Sequence, residues 1–301
     1  MIKKIRGSIM LLLASIIWGT AFVAQSDGMN YIAPFTFNAL RTLLGGIVLI
    51  PVIILFRYFG INNDKSLEEK APFGKTVSGG VVCGAVLFLA SSFQQFGISM
   101  TTVGKAGFIT ALYVIIVPII SMILGNRISL KIFVCVLIAI VGFYLLCINE
   151  GFGIGMGDLL ILICSFLFAV HIIVIDRFNS EKTDAILMSC VQFLTAGLLM
   201  LICMFIFEEP DVDGIITAKH SIMYAGIMSC AVAYTLQIIG QKTTAPTAAT
   251  LIMSLESVFA AVSGWLLLSE KLSLKEISGC ALVFAAVILV QLDSLKKTKE
   301  N

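Results

Sequence analysis

Two charged residues stand where a charge is costly. Glu256 lies about ten residues into an apolar run that begins near Pro246, roughly 15 Å along a helix rising 1.5 Å per residue. An ionised side chain at that depth of a bilayer costs at least ~2.5 kcal/mol, so it must face protein or water. There a carboxylate can bind a proton or a substrate, or it can cap a backbone break or pair with a neighbouring helix. Ala249, Met253, Ala260 and Ser263, one or two turns away, are small or flexible, which suits a packed or cavity-facing stripe. Arg41 lies about eight residues below the outer end of its own run, or ~12 Å, too deep to snorkel to water. Its planar fork suits a carboxylate or helix-end carbonyls, and it reads as structural or gating more than as binding.

Uncharged polar residues add to this pair. Ser91, Ser92, Gln94 and Gln95 share one apolar run, Thr110 and Tyr113 follow at i, i+3, and Tyr234, Gln237 and Gln241 at i, i+3, i+7. Such spacing puts polar groups on one helical face, where lipid would leave them unsatisfied. The expected chamber of mixed polar and aromatic character is drawn from Trp18, Ser91, Gln95, Thr110, Tyr113, Phe168, His171, Tyr234, Gln237 and Glu256. Such polar stripes can equally be hydrogen-bond glue between helices. His171 can accept a proton, though a lone histidine in mid-helix is more often a hydrogen-bonded core residue.

Catalytic constellations are missing. Gly155-Met156-Gly157-Asp158 spells the GxGD of intramembrane aspartyl proteases, but that chemistry needs a second membrane-embedded aspartate to share a proton. Asp27, Asp176 and Asp184 all sit at the ends of apolar runs. There is no P-loop and no Ser–His pair at usable spacing. The eight cysteines fall inside apolar runs without a C-x-x-C pair and read as packing residues. The expectation is a protein that is no enzyme and carries no cofactor and no metal.

The elements that must position these residues are membrane helices. With 59% hydrophobic and 13% charged residues and a mean hydropathy of +1.04, the chain is too apolar for a soluble domain. Its net charge of +2, with no basic patch, argues against nucleic acid. Apolar runs of spanning length fall at 7–25, 33–56, 77–99, 103–124, 130–148, 157–176, 185–207, 219–240, 246–268 and 274–293. With the N-terminus inside, most of the 20 Lys and Arg collect on the inner side, leaving Lys105, Lys219, Lys271 and Lys275 outside and Arg41 within the second run. That asymmetry places both termini in the cytoplasm. The stretch from Arg57 to Thr76 reads as a solvated connector, and Gly80-x-x-x-Gly84 as a close helix approach. Pro118 reads as an interruption or hinge beside the cavity.

The two halves of the chain resemble each other. Asn126-Arg127-Ile128-Ser129-Leu130-Lys131 stands where Glu270-Lys271-Leu272-Ser273-Leu274-Lys275 stands later, and Arg41 aligns with Gln192. Five runs per half oblige the second copy to enter the membrane from the opposite side, the inverted-repeat plan of secondary transporters. The expected fold is an all-α polytopic membrane protein of ten transmembrane helices in two inverted five-helix repeats, residues 1–148 and 149–301.

Trp18-Gly19-Thr20-Ala21-Phe22, Asn38-Ala39-Leu40-Arg41, the run from Gly107 to Pro118, Gly157-Asp158-Leu159-Leu160, Leu255-Glu256 and Leu268-Ser269-Glu270-Lys271-Leu272-Ser273 carry a family likeness. In this order and spacing the chain resembles EamA-type members of the drug/metabolite transporter superfamily. The resemblance implies a ten-helix carrier of small metabolites, often an exporter, with helix 2 peripheral to a central cavity lined mainly by helices 1, 3, 4, 6, 8 and 9. Asn126-Arg127 departs from the Glu-Arg or Glu-Lys that members often carry there. The expected function is secondary active or facilitative transport of a small polar or amphipathic metabolite such as an amino acid, with proton coupling open. The expected setting is a bacterial inner membrane, as monomer or homodimer. A non-transport receptor or partner subunit and an intramembrane enzyme stand as the alternatives.

Overall fold

A computed structural model describes residues 2–58, 73–101, 103–125, 129–147, 155–179, 183–267 and 274–299. The described residues are mostly helical, and none of them forms a strand. In chain order they form α1 (Ile2–Gly28), α2 (Pro34–Tyr58), α3 (Phe73–Ile98), α4 (Val103–Ala111), α5 (Tyr113–Ile123), α6 (Leu130–Cys147), α7 (Met156–Phe178) and α8 (Ala185–Phe207). There follow the short α9 (Val212–Thr217) and α10 (Lys219–Met223), a π-helical stretch Tyr224–Tyr234, α11 (Thr235–Gln241), α12 (Pro246–Met253), α13 (Leu255–Leu267) and α14 (Leu274–Lys299).

All ten apolar runs fall in helices. Among the described residues, 8 helical stretches are long and apolar enough to cross a membrane; α6 and α14 carry the shorter apolar segments Leu130–Gly142 and Ile277–Ala286. Most of the Arg57–Thr76 connector, and the Asn126–Ile128 and Ser269–Leu272 steps compared between the halves, lie outside the described residues.

The distribution of side chains is that of a protein solvated by lipid. Ile47, Ile54, Ile123, Leu130, Phe205 and Phe207 are exposed, while Arg41, Gln95, His171, Gln192 and Glu256 are buried. Between helices in lipid the hydrophobic effect supplies no driving force, so association depends on close packing and on small residues at the contact. The Gly80–Gly84 expectation holds. A Cβ on Gly80 would stand 2.7 Å from Val191 Cβ, and one on Gly84 2.6 Å from the Gln192 carbonyl oxygen, so α3 lies directly on α8. Gly19 does the same for α1 on α13, where an added Cβ would meet Phe259 Cβ at 2.4 Å and the Glu256 carbonyl oxygen at 2.8 Å.

The acidic stretch after α8 has a structural task. The Glu208 carboxylate accepts from the Phe35 and Thr36 amides at 2.8 and 2.7 Å and from Thr36 Oγ1 at 2.8 Å. It thereby closes the donor end of α2, where backbone N–H groups lack partners within the helix.

Two spanning helices are interrupted at matching places. Leu112 separates α4 from α5 with φ −61° and ψ −12°, and Ser254 separates α12 from α13 with φ −62° and ψ −13°. Both residues turn tighter than an α-helix. Leu112 N donates to the Ile109 carbonyl and Ser257 N to the Ser254 carbonyl, each three residues back. Around Ser254 the hydroxyls of Thr250, Ser254 and Ser257 donate to the carbonyls of Thr247, Leu251 and Ser254 at 2.9, 2.8 and 2.7 Å, competing with the regular ladder. Pro118, expected as the interruption, instead lies buried inside the continuous helix α5. The second break contains no proline either, so proline is not the element that makes either of them.

Candidate functional site

The interruptions set two side chains against each other. Tyr113 begins α5 and Glu256 is the second residue of α13, and Tyr113 Oη donates to Glu256 Oε1 at 2.8 Å in a buried setting. A hydrogen bond to an ionised partner contributes about 1.5–3 kcal/mol, which offsets much of the cost of holding a carboxylate in this interior.

Around that pair lies a cavity with about 40 Å³ open to the centres of water molecules. Helix α1 lines it with Trp18, Phe22 and Gln25, spaced i, i+4, i+7 on one face. Arg41 enters from α2, Gln94 from α3, Thr110 from α4, and Phe168 and Ile172 from α7. Ser229 and Tyr234 of the π stretch, Gln237 of α11 and Met253 of α12 complete the wall with Tyr113 and Glu256. Trp18 and Tyr234 meet edge to face, 4.8 Å between ring centres. Gln94 Nε2 lies 3.4 Å from Thr110 Oγ1. Among the described residues Trp18 Nε1, Gln25 Oε1 and Gln237 Oε1 are buried without a hydrogen-bond partner, which leaves the wall with unmet polar capacity.

Of the residues expected in the chamber, Trp18, Thr110, Tyr113, Phe168, Tyr234, Gln237 and Glu256 are brought together on one cavity. Ser91, Gln95 and His171 are buried but stand outside that wall. The Ser91 carbonyl accepts from Asn38 Nδ2 at 2.9 Å, and Gln95 Nε2 donates to the Gln25 carbonyl at 3.2 Å. His171 Nε2 pairs with Gln192 Oε1 at 3.2 Å, while its ring stands edge-on to Tyr234 at 6.0 Å and to Phe168 at 6.4 Å. It supports two wall residues from behind.

Arg41, read from the sequence as structural or gating, reaches the cavity although its helix is expected to be peripheral. The residue is 4% exposed and forms part of the cavity wall. The reason is length: a side chain rooted on α2 reaches inward past the contact of α2 with the π stretch, where Gly226 packs against the Arg41 backbone. Phe22, Gln25, Gln94, Ile172, Ser229 and Met253 also line the cavity without having been selected from the sequence. Gln94 was within reach of the polar-stripe argument, because it stands beside Gln95 and only the absolute phase of the helix was unknown.

A second cluster ties the α3–α4 hairpin to the head of α7. Asp158 accepts from Thr101 Oγ1 at 2.7 Å and from the Gly155 amide at 3.1 Å, with Lys105 Nζ at 3.5 Å. The aspartate of the GxGD sequence is thus occupied in a structural junction.

The family model of EamA-like transporters matches residues 5–148 and again residues 155–292. The chain belongs to the EamA-like transporter family. It is a multi-pass membrane protein of that family, and its relatives carry names to match. It is 29% identical over 292 residues to an uncharacterized transporter of Archaeoglobus fulgidus, covering 97% of this chain and 87% of that one. It is 22% identical to the uncharacterized transporter YoaV of Bacillus subtilis, over 96% of this chain and 97% of its relative. A WAT1-related chloroplastic protein of Arabidopsis thaliana is 22% identical over 91% of this chain and 66% of its own. A crystal structure with 20% sequence identity superposes with a TM-score of 0.73, covering 96% of this chain and 98% of that one, a likeness of fold. The EamA-like match and the cavity concern the same helices, since both matched segments contribute to its wall.

Proposed function

We propose that this chain is a secondary active or facilitative transporter, working as an exporter, of a small polar or amphipathic metabolite such as an amino acid. In this reading the spans form two inverted five-helix halves, residues 1–148 and 149–301. They rock about a central site by alternating access. Both termini lie in the cytoplasm, and the membrane is a bacterial inner membrane.

One observation carries the reading. The Tyr113–Glu256 hydrogen bond joins the junctions of two interrupted helices inside a mixed polar and aromatic cavity. Interrupted helices near the midplane are where secondary carriers place substrate and coupling ions.

The test is a substrate panel on purified protein in liposomes, with and without an imposed pH gradient. Uptake or efflux of an amino acid that Glu256→Gln abolishes or uncouples from the gradient is the expected result. Full, still proton-coupled transport by Glu256→Gln relegates the residue to structure, and a panel in which nothing moves removes the substrate class.

A further inference from the structure

We propose that Arg41 is the anion-reading residue of this cavity: the ligand presents a carboxylate to the Arg41 guanidinium while its opposite end meets Glu256. The assignment rests on reading the cavity as the substrate site.

Three features of Arg41 carry it. Its Nε donates to Asn38 Oδ1 at 2.8 Å, and Asn38 is itself fixed by donating to the Ser91 carbonyl at 2.9 Å. The base of the fork is therefore held from α3 and cannot swing freely. Beneath the guanidinium, at 5.8 Å, lies the Phe37 ring, which supports its flat face. Both Nη groups are left over. Among the described residues no carboxylate lies within 4.0 Å of them, and no protein acceptor takes their protons. Neither Nη is sealed in apolar contact, because the side chain lines the cavity.

A buried guanidinium with its Nη edge turned to a cavity is shaped for a planar anion with two oxygens, which it can hold by parallel hydrogen bonds. Arg41 and Glu256 are the charged residues of the wall, one of each sign. They are not paired with each other. Glu256 spends Oε1 on Tyr113 and keeps Oε2 for the cavity. A ligand that carries only a cation leaves Arg41 desolvated without a partner, and one that carries only an anion does the same to Glu256. Sites built on buried hydrogen-bonding groups discriminate strongly against analogues that lack the matching group, because the site's own groups then go unpaired. The pair thus selects molecules with a carboxylate at one end and a donor or cation at the other.

The experiment measures binding to the purified full chain in detergent, by calorimetry and thermal shift. The ligands are the common amino acids, each beside its amide and its decarboxylated amine. Wild-type protein should bind at least one amino acid at least tenfold more tightly than its amide and its amine, about 1.4 kcal/mol. Arg41→Gln should abolish the preference for the acid over the amine, weakening the acid and tightening the amine, which no longer leaves a buried guanidinium unpaired, and Arg41→Lys should restore part of the preference. The comparison within the wild type needs no variant to fold. Equal binding of acid and amine by the wild type, unchanged in Arg41→Gln, overturns the role of Arg41 while leaving an amine site at Glu256 and the carrier reading intact. Binding of none of these ligands overturns the amino-acid class and the assignment of Arg41 together.

Discussion

Removing the Tyr113 hydroxyl by Tyr113→Phe strips Glu256 of the protein donor at 2.8 Å while leaving the ring and its packing. Hydrogen bonds to charged groups contribute about 1.5–3 kcal/mol, against about 0.5–1.5 kcal/mol for neutral ones. Tyr113→Phe should therefore destabilise the fold by about 1.5–3 kcal/mol. Glu256→Gln keeps the volume and an acceptor oxygen but makes the bond a neutral one, so its loss should be nearer to about 1 kcal/mol. Once Tyr113 is Phe, Glu256→Gln has no bond left to weaken and instead relieves a buried, partnerless carboxylate. The double variant should thus be more stable than the sum of the single losses requires, with a coupling of about 1–2 kcal/mol. Equilibrium unfolding of the four proteins in one detergent measures this cycle, and ligand affinity measured in parallel shows whether Tyr113 also orients Glu256. Independent sites add within roughly 0.3–0.5 kcal/mol. Additivity within that margin would refute the claim that the two helix junctions act through this bond.

Other expectations follow from single contacts. Gly19→Ala places a Cβ 2.4 Å from Phe259 Cβ and 2.8 Å from the Glu256 carbonyl oxygen, so α1 must retreat from α13 at an overpacking cost of about 1–3 kcal/mol. Gly104→Ala has nothing within 4 Å of the added Cβ and gains up to about 1 kcal/mol in helix propensity; thermal stability of the two variants should move in opposite directions, and a shared sign contradicts the packing described. Glu208→Ala removes the carboxylate held by Phe35 N, Thr36 N and Thr36 Oγ1, costing about 1–2 kcal/mol on the scale of lost helix caps, with hydrogen exchange fastest at the start of α2. Asp158→Asn weakens the junction of Thr101, Gly155 and Lys105. Exchange at the α3–α4 hairpin should rise several-fold while the α2–α8 contact stays protected, and uniform exchange across both would deny the junction a local role.

What the sequence made legible depended on what kind of signal each feature leaves. A run of apolar residues states its own length, so all ten helical runs were visible, and a carboxylate within such a run marked Glu256 without any structure. Periodicity gives relative phase along a helix but not which face meets the cavity. Of the adjacent pair Gln94 and Gln95 it is Gln94 that lines the wall, and of the expected Phe168, His171 and Tyr234 it is Phe168 and Tyr234 that do. The breaks at Leu112 and Ser254 involve neither glycine nor proline, whereas Pro118, the residue type that marks a break in a sequence, is absorbed by α5. The π stretch Tyr224–Tyr234, which packs on α1 and α2, has no counterpart in the apolar periodicity of the sequence. Arg41 was noticed for its depth but assigned by the place of its helix. The reach of its side chain decides the matter, and only tertiary structure shows it.

The distribution of charge between the two matched segments bears on how such a site would work. Arg41 belongs to the segment 5–148 and Glu256 to the segment 155–292. The position aligned with Arg41 in the second segment is Gln192, which is buried against His171 and outside the wall. The offset that aligns Asn126-Arg127 with Glu270-Lys271 sets Glu256 against Leu112, next to Tyr113, where the first segment has no charge. Each half thus brings to the cavity the one charge that the other half lacks. A ligand that bridges Arg41 and Glu256 is held by both halves at once, and its affinity depends on the distance between them. On the proposed alternating-access reading, a movement that separates the halves on one side of the membrane weakens one of the two contacts. A ligand of fixed length therefore favours the closed arrangement in which both are made, whereas a ligand satisfying a single charge gives the halves no reason to close.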